Sequence, residues 1–374
     1  MPHILHLYKD IFPPVYGGME VVLGKLAVEQ ARHGWKVSVA VSGPVDRVWG
    51  AEHGVDVISV GEWGRLLSNP ISPGFFRLLE KVDYDLLHLH LPCPTAVLAT
   101  LRKGARDVPW FASYQSDIVR QRMTGALYRP WQRKFLKRCS SIFVSSPPLL
   151  SSSEVLASVR ERCRIVPLGI SPQELSSQEQ AAGGNLRADY GGKPIVLFVG
   201  RFRWYKGLHV LLEAMDQVDA VLLVVGAGTM RQEQRIRKSI NSMKNPERVV
   251  LLGPAAHLGP VLAASDLICL PSTHRAEAFG YVLLESFAAG VPAVTTELGT
   301  GTSYVNQDGE TGLVVPPGDS GSLAEAISRI CQNKALRDRF SEAAKTRVRK
   351  DFSLDGMVEA ILTAYNEAGL KAEG

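Results

Sequence analysis

Two pairs of charged residues in the second half of the chain have the types and spacing for phosphate and sugar chemistry. In VLFVGRFRWYKGLHVLLEAM, Arg201 follows Gly200 at the end of an apolar run, and Lys206-Gly207 comes five residues later at the start of a helical pattern. Arginine presents a planar fork to phosphate oxygens and lysine a compact charge. Beside a helix N-terminus the two would stabilise charge building on a leaving diphosphate. A solvated surface pair is the ordinary alternative. In DLICLPSTHRAEAFGYVLLESFAAG, residues 266–290, Glu277 lies in a polar loop and Glu285 stands two turns into a helix, eight residues on. A carboxylate accepts two hydrogen bonds at once, which suits vicinal sugar hydroxyls. Each glutamate alone reads equally well as an exposed acid.

The elements that must position these groups are legible around them. Asp266 to Leu270 is a short apolar run that predicts a buried strand, and Pro271, Ser272 and Thr273 open a loop. From Tyr281 the residues Val282, Leu283, Phe287 and Ala288 recur at helical spacing until Gly290 and Pro292 stop the run. In an open α/β sheet, ligands bind above the carboxyl end of such a strand. Unpaired N–H groups at the following helix start suit a phosphate.

Taken in order, the chain predicts two sets of strands alternating with helices. The first set is His3–Tyr8, Lys36–Ser42, Val55–Val60, Leu86–Leu91, Trp110–Tyr114, Ser141–Ser145 and Cys163–Pro167, with a helix from about Met19 to Arg32. The second is Ile195–Gly200, Ala220–Gly226, Val249–Gly253, Leu267–Leu270, Ala293–Thr296 and Leu313–Val315. Helices at Ser320–Asn333, Ala335–Lys350 and Ser353–Gly369 close the chain. Alternation of this kind predicts parallel sheets covered on both faces. Residues 171–193, polar and rich in Gly and Ser, predict a linker between domains at 1–170 and 194–351.

Glu277-Ala278-Phe279-Gly280 followed by Glu285 resembles the E-x7-E signature of retaining, nucleotide-sugar-dependent glycosyltransferases of the GT-B fold, specifically family 4. Gly200-Arg201 with Lys206-Gly207 matches that family's G-R-x4-K-G pattern. The resemblance covers nearly the whole chain. It implies an α/β GT-B architecture, two Rossmann-like doubly wound parallel-sheet domains facing a central cleft, with helix 352–370 packing back on the first domain. It also implies that Glu285 holds the nucleotide ribose, that Arg201 and Lys206 clamp the diphosphate, and that Glu277, Ala278, Phe279 and Gly280 face the donor sugar. Closure of the domains would exclude water from the donor. Gly253, in VVLLGPAAHL, falls where the family holds the base through its backbone.

The first half supplies further candidates. Gly17-Gly18, after PPVY, permits close backbone approach, because glycine has no Cβ; an ordinary turn is the alternative. The pair resembles the family's glycine loop, which faces the donor diphosphate. In DYDLLHLHLP, Asp83-x-Asp85 precedes its strand and so sits at the wrong end for a metal. His88 and His90 share a face of the strand. His90, nearer the carboxyl end, is the one placed to reach a ligand, and His88 reads as structural. After the strand ending at Tyr114 the family usually carries a histidine in a T-x-H-x-D pattern. This chain has Gln115, then Ser116 and Asp117. Glutamine exchanges hydrogen bonds but supplies no proton near neutral pH. Gly226 and Gly228 lack the last glycine of a dinucleotide fingerprint, since Arg231 stands in its place. TTELGTGTSYV resembles a second set of phosphate-facing N–H groups, and DGETGLVVPPGD reads as structural.

At 374 residues, 45% hydrophobic and 21% charged, the chain has the composition of a globular protein with room for two domains. The start reads as a strand rather than a signal peptide, and no apolar run is long enough to span a membrane. The five cysteines show no metal-ligand spacing and predict reduced core thiols in a cytoplasmic protein. The net charge of +5 is uneven: residues 1–169 carry 21 basic and 14 acidic side chains (+7), the rest 21 and 23 (−2). The excess is dense in IVRQRMTGALYRPWQRKFLKRC, where Arg120, Arg122, Arg129, Arg133, Lys134, Lys137 and Arg138 alternate with Met123, Leu127, Tyr128, Trp131, Phe135 and Leu136. An anionic membrane surface or acceptor suits that stretch, and so does a core helix with a solvated basic face. No nucleic-acid motif accompanies the charge.

The expected activity is transfer of a hexose from a nucleoside diphosphate sugar, with GDP-mannose preferred, to a glycan or glycolipid acceptor in cell-surface polysaccharide or lipopolysaccharide synthesis. Configuration would be retained, with no metal or other cofactor. The resemblance implies that Gly17 and Gly18 face the donor from the first domain, that Gln115 acts with Glu277, Arg201 and Lys206 in the reaction, and that His90 and Asp117 line the acceptor side or the cleft. The protein would lie in the cytoplasm or against the inner membrane face. A nucleotide-sugar epimerase and a non-catalytic sugar-nucleotide-binding protein are the alternatives.

Overall fold

The computed structural model describes residues 1–11, 15, 17–43, 47–49, 52–66, 69–102, 108–117, 122–171, 174–255 and 257–372. The chain divides into two compact units, Met1–Gly169 with Leu354–Gly374, and Ile170–Ser353.

The first unit contains strands β1 (His3–Tyr8), β2 (Lys36–Gly43), β3 (Arg47–Trp49), β4 (Val55–Gly61), β5 (Gly64–Leu66), β6 (Asn69–Ile71), β7 (Leu86–Leu91), β8 (Trp110–Tyr114), β9 (Ser141–Val144) and β10 (Cys163–Ile165). Eight of them form one sheet in the order β10-β9-β8-β7-β1-β2-β4-β3, parallel except for β3; β5 and β6 form a separate hairpin. The central strands are wholly buried, as expected for near-continuous apolar runs in a sheet covered on both faces. Helices α1 (Gly18–Arg32), α2 (Gly74–Lys81), α3 (Pro94–Arg102), α4 (Arg122–Leu136) and α5 (Pro147–Ser152) connect the strands.

The second unit holds α6 (Ser177–Ala188), then β11 (Ile195–Val199), α7 (Leu208–Met215), β12 (Val221–Val225), α8 (Met230–Asn241), β13 (Val249–Gly253), α9 (Gly259–Ala264) and β14 (Leu267–Leu270). It continues with α10 (Tyr281–Ala288), β15 (Ala293–Thr296), α11 (Gly301–Val305), β16 (Gly312–Val315), α12 (Ser320–Gln332) and α13 (Lys334–Asp351). All six strands are parallel, ordered β13-β12-β11-β14-β15-β16. From β11 the chain winds one way to β12 and later returns to β14 on the other side, so the switch point of this sheet lies between β11 and β14.

Residues 177–188 correct the expectation of a linker. They form α6, whose N-terminus is a capping box: Ser176 Oγ accepts from Glu179 N at 3.3 Å, and Glu179 Oε2 accepts from Ser176 N at 2.6 Å. Gly183 permits contact with α9, because a Cβ there would lie 2.4 Å from Ala263 Cβ. At its end, Arg187 pairs with the buried Asp266 at 2.9 Å, and Asp266 also accepts from Ile195 N and pairs with Arg337. The Ser-x-x-Glu signal stood in the sequence, but a polar, glycine-bearing segment masked it.

The last helix, α14 (Leu354–Glu367), belongs to the first unit. Its Tyr365 is fully buried against Phe111, Phe143 and Trp35 and completes a hydrogen-bond chain across the sheet. Gln30 Nε2 donates to the Tyr365 oxygen at 3.3 Å, which turns Gln30 Oε1 towards His6 Nε2 at 2.7 Å. His6 therefore carries its proton on Nε2, and its Nδ1 accepts from His90 Nε2 at 3.0 Å. The Tyr365 hydroxyl in turn donates to His88 Nδ1, and His88 Nε2 donates to Ser113 Oγ at 2.8 Å. Every link points the same way, from His90 to Ser113, and His90 Nδ1 is left as a buried lone pair without a partner among the described residues.

Burial in this network disfavours a charged imidazole. It pushes the pKa of His6 down to about 4 and those of His88 and His90 well below the usual value. The unfolded chain would protonate all three near pH 6.5, so the stability they provide is fully present above that pH and is lost as the pH falls. Each contributes a slope of about 1.4 kcal/mol per pH unit below 6.5. Urea unfolding of the first unit, followed at pH 7.5, 6.5, 5.5 and 5.0, should show a decline beginning near 6.5; a flat profile down to pH 5 would contradict neutral burial.

Candidate active site

The carboxyl ends of β11, β12 and β13 each finish on a glycine. Gly200 N donates to Val225 O, and Gly226 N donates to Gly253 O. Gly226 lies so close to its neighbour that a Cβ would meet Gly200 O at 2.0 Å, whereas Gly253, at φ 75°, has open space above it. Gly226 is thus a packing glycine. Gly253 leaves its backbone approachable, as a base-holding position requires.

Arg201 follows β11 and is exposed, with no ion-pair partner among the described residues. A turn of 3₁₀ helix, Trp204–Lys206, carries the chain to Gly207. Here the structure differs from the sequence expectation. Lys206 ends this short turn rather than opening α7, because Gly207 takes the left-handed conformation (φ 69°) and lets the backbone pass against Pro271 O, where a Cβ would lie 1.8 Å away. The detour brings the loop after β11 onto the loop after β14, and Thr273 N donates to Tyr205 O at 2.8 Å.

The contact that results is Lys206 Nζ to Glu277 Oε2 at 2.6 Å, between side chains only 15% and 9% exposed. Burial opposes the ammonium charge, but attraction and hydrogen bonding to Glu277 outweigh it and hold the Lys206 pKa above its usual value. Ser272 Oγ also donates to Glu277 Oε2, at 3.1 Å. Behind the carboxylate, Thr300 Oγ1 donates to Glu277 O at 2.8 Å and Gly301 N to Ala278 O at 2.7 Å. These bonds depart from the reading of GTGTS as phosphate-facing donors at Gly301, whose N–H is committed to Ala278 O. Gly299 N is likewise engaged, by Glu297 Oε1 at 2.8 Å. The segment buttresses the Glu277–Ala278 backbone instead.

Phe279 is buried, and Gly280, left-handed at φ 77°, packs where a Cβ would strike Leu270 Cδ2 at 2.7 Å. The turn starts α10 at Tyr281 and carries the half-buried Glu285 on its second turn, one turn from Tyr281. The structure thus brings Lys206 and Glu277 into contact and joins Glu277 to Glu285 through one loop–helix unit. Ser272 is a partner of Glu277 that the motifs did not single out, and Thr300, read in the sequence as one of the phosphate-facing residues, supports the glutamate backbone.

The first-unit candidates are less uniform. Gly17 is the extended N-cap of α1, Gly18 its first residue, and the room above Gly17 is filled by the buried Glu20 carboxylate, 2.1 Å from an added Cβ. Gln115 is buried with its Oε1 unpartnered among the described residues. Asp117 is committed locally, accepting from Tyr114 Oη at 2.6 Å and from Ser153 Oγ at 2.7 Å. Asp85 accepts from His3 N at 2.7 Å, a structural bond at the foot of β7. His90 corrects the expectation that it reaches a ligand: it is 2% exposed, on the sheet face covered by α1 and α14. His6, His88 and His90 are the group, among the described residues, whose ligand atoms lie close enough to share a metal ion, within 4.8 Å. Their nitrogens other than His90 Nδ1 already hold the hydrogen bonds described above, so the cluster reads as a neutral core network.

On α4, Tyr128, Gln132, Phe135 and Leu136 are buried, while Arg129, Trp131, Arg133 and Lys134 are exposed, as are Lys137 and Arg138 just after it. Arg138 lies over the Trp110 ring at 4.4 Å. Arg120 lies outside the described residues, as do the side chains of Arg122, Met123 and Leu127. No described helix is long and apolar enough to cross a membrane.

Comparison with known proteins follows this division of the chain. The profile described as glycosyl transferases group 1 matches residues 187–347, and that of the glycosyl transferase 4-like domain matches residues 17–169. O-antigen chain mannosyltransferase C of Escherichia coli is 32% identical over 370 residues, 97% of each chain. The D-rhamnosyltransferase WbpZ of Pseudomonas aeruginosa is 31% identical, over 94% of this chain and 92% of its own. Among solved structures, a sucrose-phosphate synthase from Thermosynechococcus elongatus superposes with a TM-score of 0.84 at 23% identity, covering 98% of this chain and 99% of its own. With both halves matched and the relationship running end to end, the chain belongs to the group 1, family 4 glycosyltransferases of the GT-B fold.

Proposed function

We propose that this glycosyltransferase moves a hexose, with retention of configuration and without a metal ion, from a nucleoside diphosphate sugar to a glycan or glycolipid acceptor in cell-surface polysaccharide synthesis. The observation that carries the reading is the buried Lys206–Glu277 pair at the switch point of the second sheet, with the exposed Arg201 guanidinium in the same loop. Lysine has three N–H donors and Glu277 occupies one, so others can meet a diphosphate oxygen. Arg201 and Lys206 together supply the positive charge that a departing diphosphate needs. Glu277 is braced by Ser272 and Thr300, so its second oxygen is held for a hydroxyl of the transferred sugar. Glu285 holds the ribose diol, and Gly253 the base through its backbone.

In this mechanism the anomeric C–O bond to the diphosphate breaks as the acceptor oxygen bonds to the same face of that carbon. The acceptor proton passes to the departing phosphate oxygen, so Gln115 is needed only for hydrogen bonding, and its buried Oε1 is suited to a sugar hydroxyl. The mannosyl- and rhamnosyltransferase relatives support a hexose donor, and GDP-mannose is the preferred one. The basic, Trp131-bearing face of α4 would rest on an anionic membrane surface beside a lipid-linked acceptor.

Arg201→Ala should lower kcat/KM by about 2–4 kcal/mol of transition-state stabilisation while leaving the melting temperature unchanged, because the side chain is exposed. Lys206→Ala should lose as much activity and also melt earlier, since it strands the Glu277 carboxylate; steady-state kinetics with calorimetry separates the two. Gln115→Ala should lower turnover and Gln115→His should preserve it, whereas wild-type rates from both would remove Gln115 from the reaction. In thermal-shift screening GDP should stabilise more than UDP or ADP, by about 2.7 kcal/mol at a hundredfold excess over Kd; preference for UDP would change the donor and leave the fold of the site intact.

A further inference from the structure

The second unit carries an exposed indole, that of Trp204. It lies in the loop between Arg201 and Lys206 and is 44% exposed, although Phe202 two residues earlier is 7% exposed and packs into the core. An exposed indole forfeits a large hydrophobic gain, and this loop shows that it can bury an aromatic ring when one belongs inside.

The ring is also held still. Lys206 N donates to Arg203 O at 3.0 Å, Gly207 is wedged against Pro271 O, and Thr273 N donates to Tyr205 O at 2.8 Å, so the turn is fixed at both ends. Trp204 rests on the His274 ring with centroids 4.9 Å apart and planes tilted by 59°. His274 is itself oriented, since its Nδ1 accepts from Ala276 N at 3.2 Å, four residues before Gly280, where α10 is capped. A partly exposed aromatic ring is thereby held two residues from Lys206, in the same 3₁₀ turn, on a backbone tied by hydrogen bonds at both ends.

We propose that Trp204, braced by His274, is a stacking platform for a pyranose ring. The face of a pyranose that displays its C–H groups is apolar and weakly positive, which complements the negative face of an indole, while its hydroxyls point sideways to groups such as a carboxylate. The inference rests on the nucleotide-sugar reading of the site and adds a residue that selects for a sugar ring, whether that ring is carried by the donor or by the acceptor.

Titration calorimetry on the full chain and on its Trp204→Ala and Trp204→Phe variants, with GDP, GDP-mannose and octyl α-D-mannopyranoside as probes, tests it. Expected is an unchanged affinity for GDP, a loss of about fivefold to tenfold for one of the two mannose-bearing probes in Trp204→Ala, and recovery to within about twofold in Trp204→Phe. The probe that weakens identifies the ring: GDP-mannose for the donor's, the octyl glycoside for the acceptor's. Unchanged affinity for both overturns the proposal, and so does an equal loss for GDP itself, which would place the indole against the nucleotide. If wild-type protein binds neither GDP nor GDP-mannose, the donor assignment fails, and that is seen before any variant is measured.

Discussion

A lysine and a glutamate that are both largely withdrawn from solvent must find each other, because either alone would carry an uncompensated buried charge. In this protein Lys206 and Glu277 come from loops that follow two different strands, β11 and β14, and the 2.6 Å contact between them fixes the distance between those loops. Much of the surrounding detail serves that closure. At Gly207 a Cβ would strike Pro271 O and keep the loops apart, Thr273 N bonds to Tyr205 O across them, and Thr300 and Gly301 brace the glutamate loop. Adjacent parallel strands at the switch point supply the frame, and pairing of charges sets the register of the loops above it.

The strands, most helices and both charged motifs could be read from the amino-acid sequence because each is local. An apolar run of four to six residues, or the four residues between Arg201 and Lys206, is visible without knowing what the chain packs against. Pairings over long separations were not. Nothing about Lys206 indicates that its partner lies 71 residues away, at Glu277. Gln30 and Tyr365, separated by 335 positions, look like a helix polar residue and an ordinary aromatic until the fold places them in one chain with three histidines. His90 illustrates the error this causes: its position near the end of β7 suggested access to a ligand, whereas the covering of that face by α1 and α14 decides otherwise.

A different kind of miss occurred where a local signal was present but outweighed by composition. Ser176 and Glu179 form a capping box within a segment whose Gly, Ser and Gln content suggested a flexible connection. Gly183 contributed to that impression, yet it is the residue that allows α6 to lie against α9. The GTGTS segment shows the same ambiguity, since small residues suit anion binding and close packing equally. Here the N–H groups of Gly299 and Gly301 are spent inside the protein.

The placement of Tyr365 has a bearing on biogenesis. A ribosome delivers this residue only after every residue of the second unit has emerged, yet it fills the middle of the first unit's sheet. During synthesis the face bearing His6, His88, Phe111 and Phe143 therefore lacks the α14 part of its cover while the later half is translated and can fold. The half made first is the half finished last, and a chain that stops short of residue 354 would retain an intact second sheet beside an open, adhesive first one.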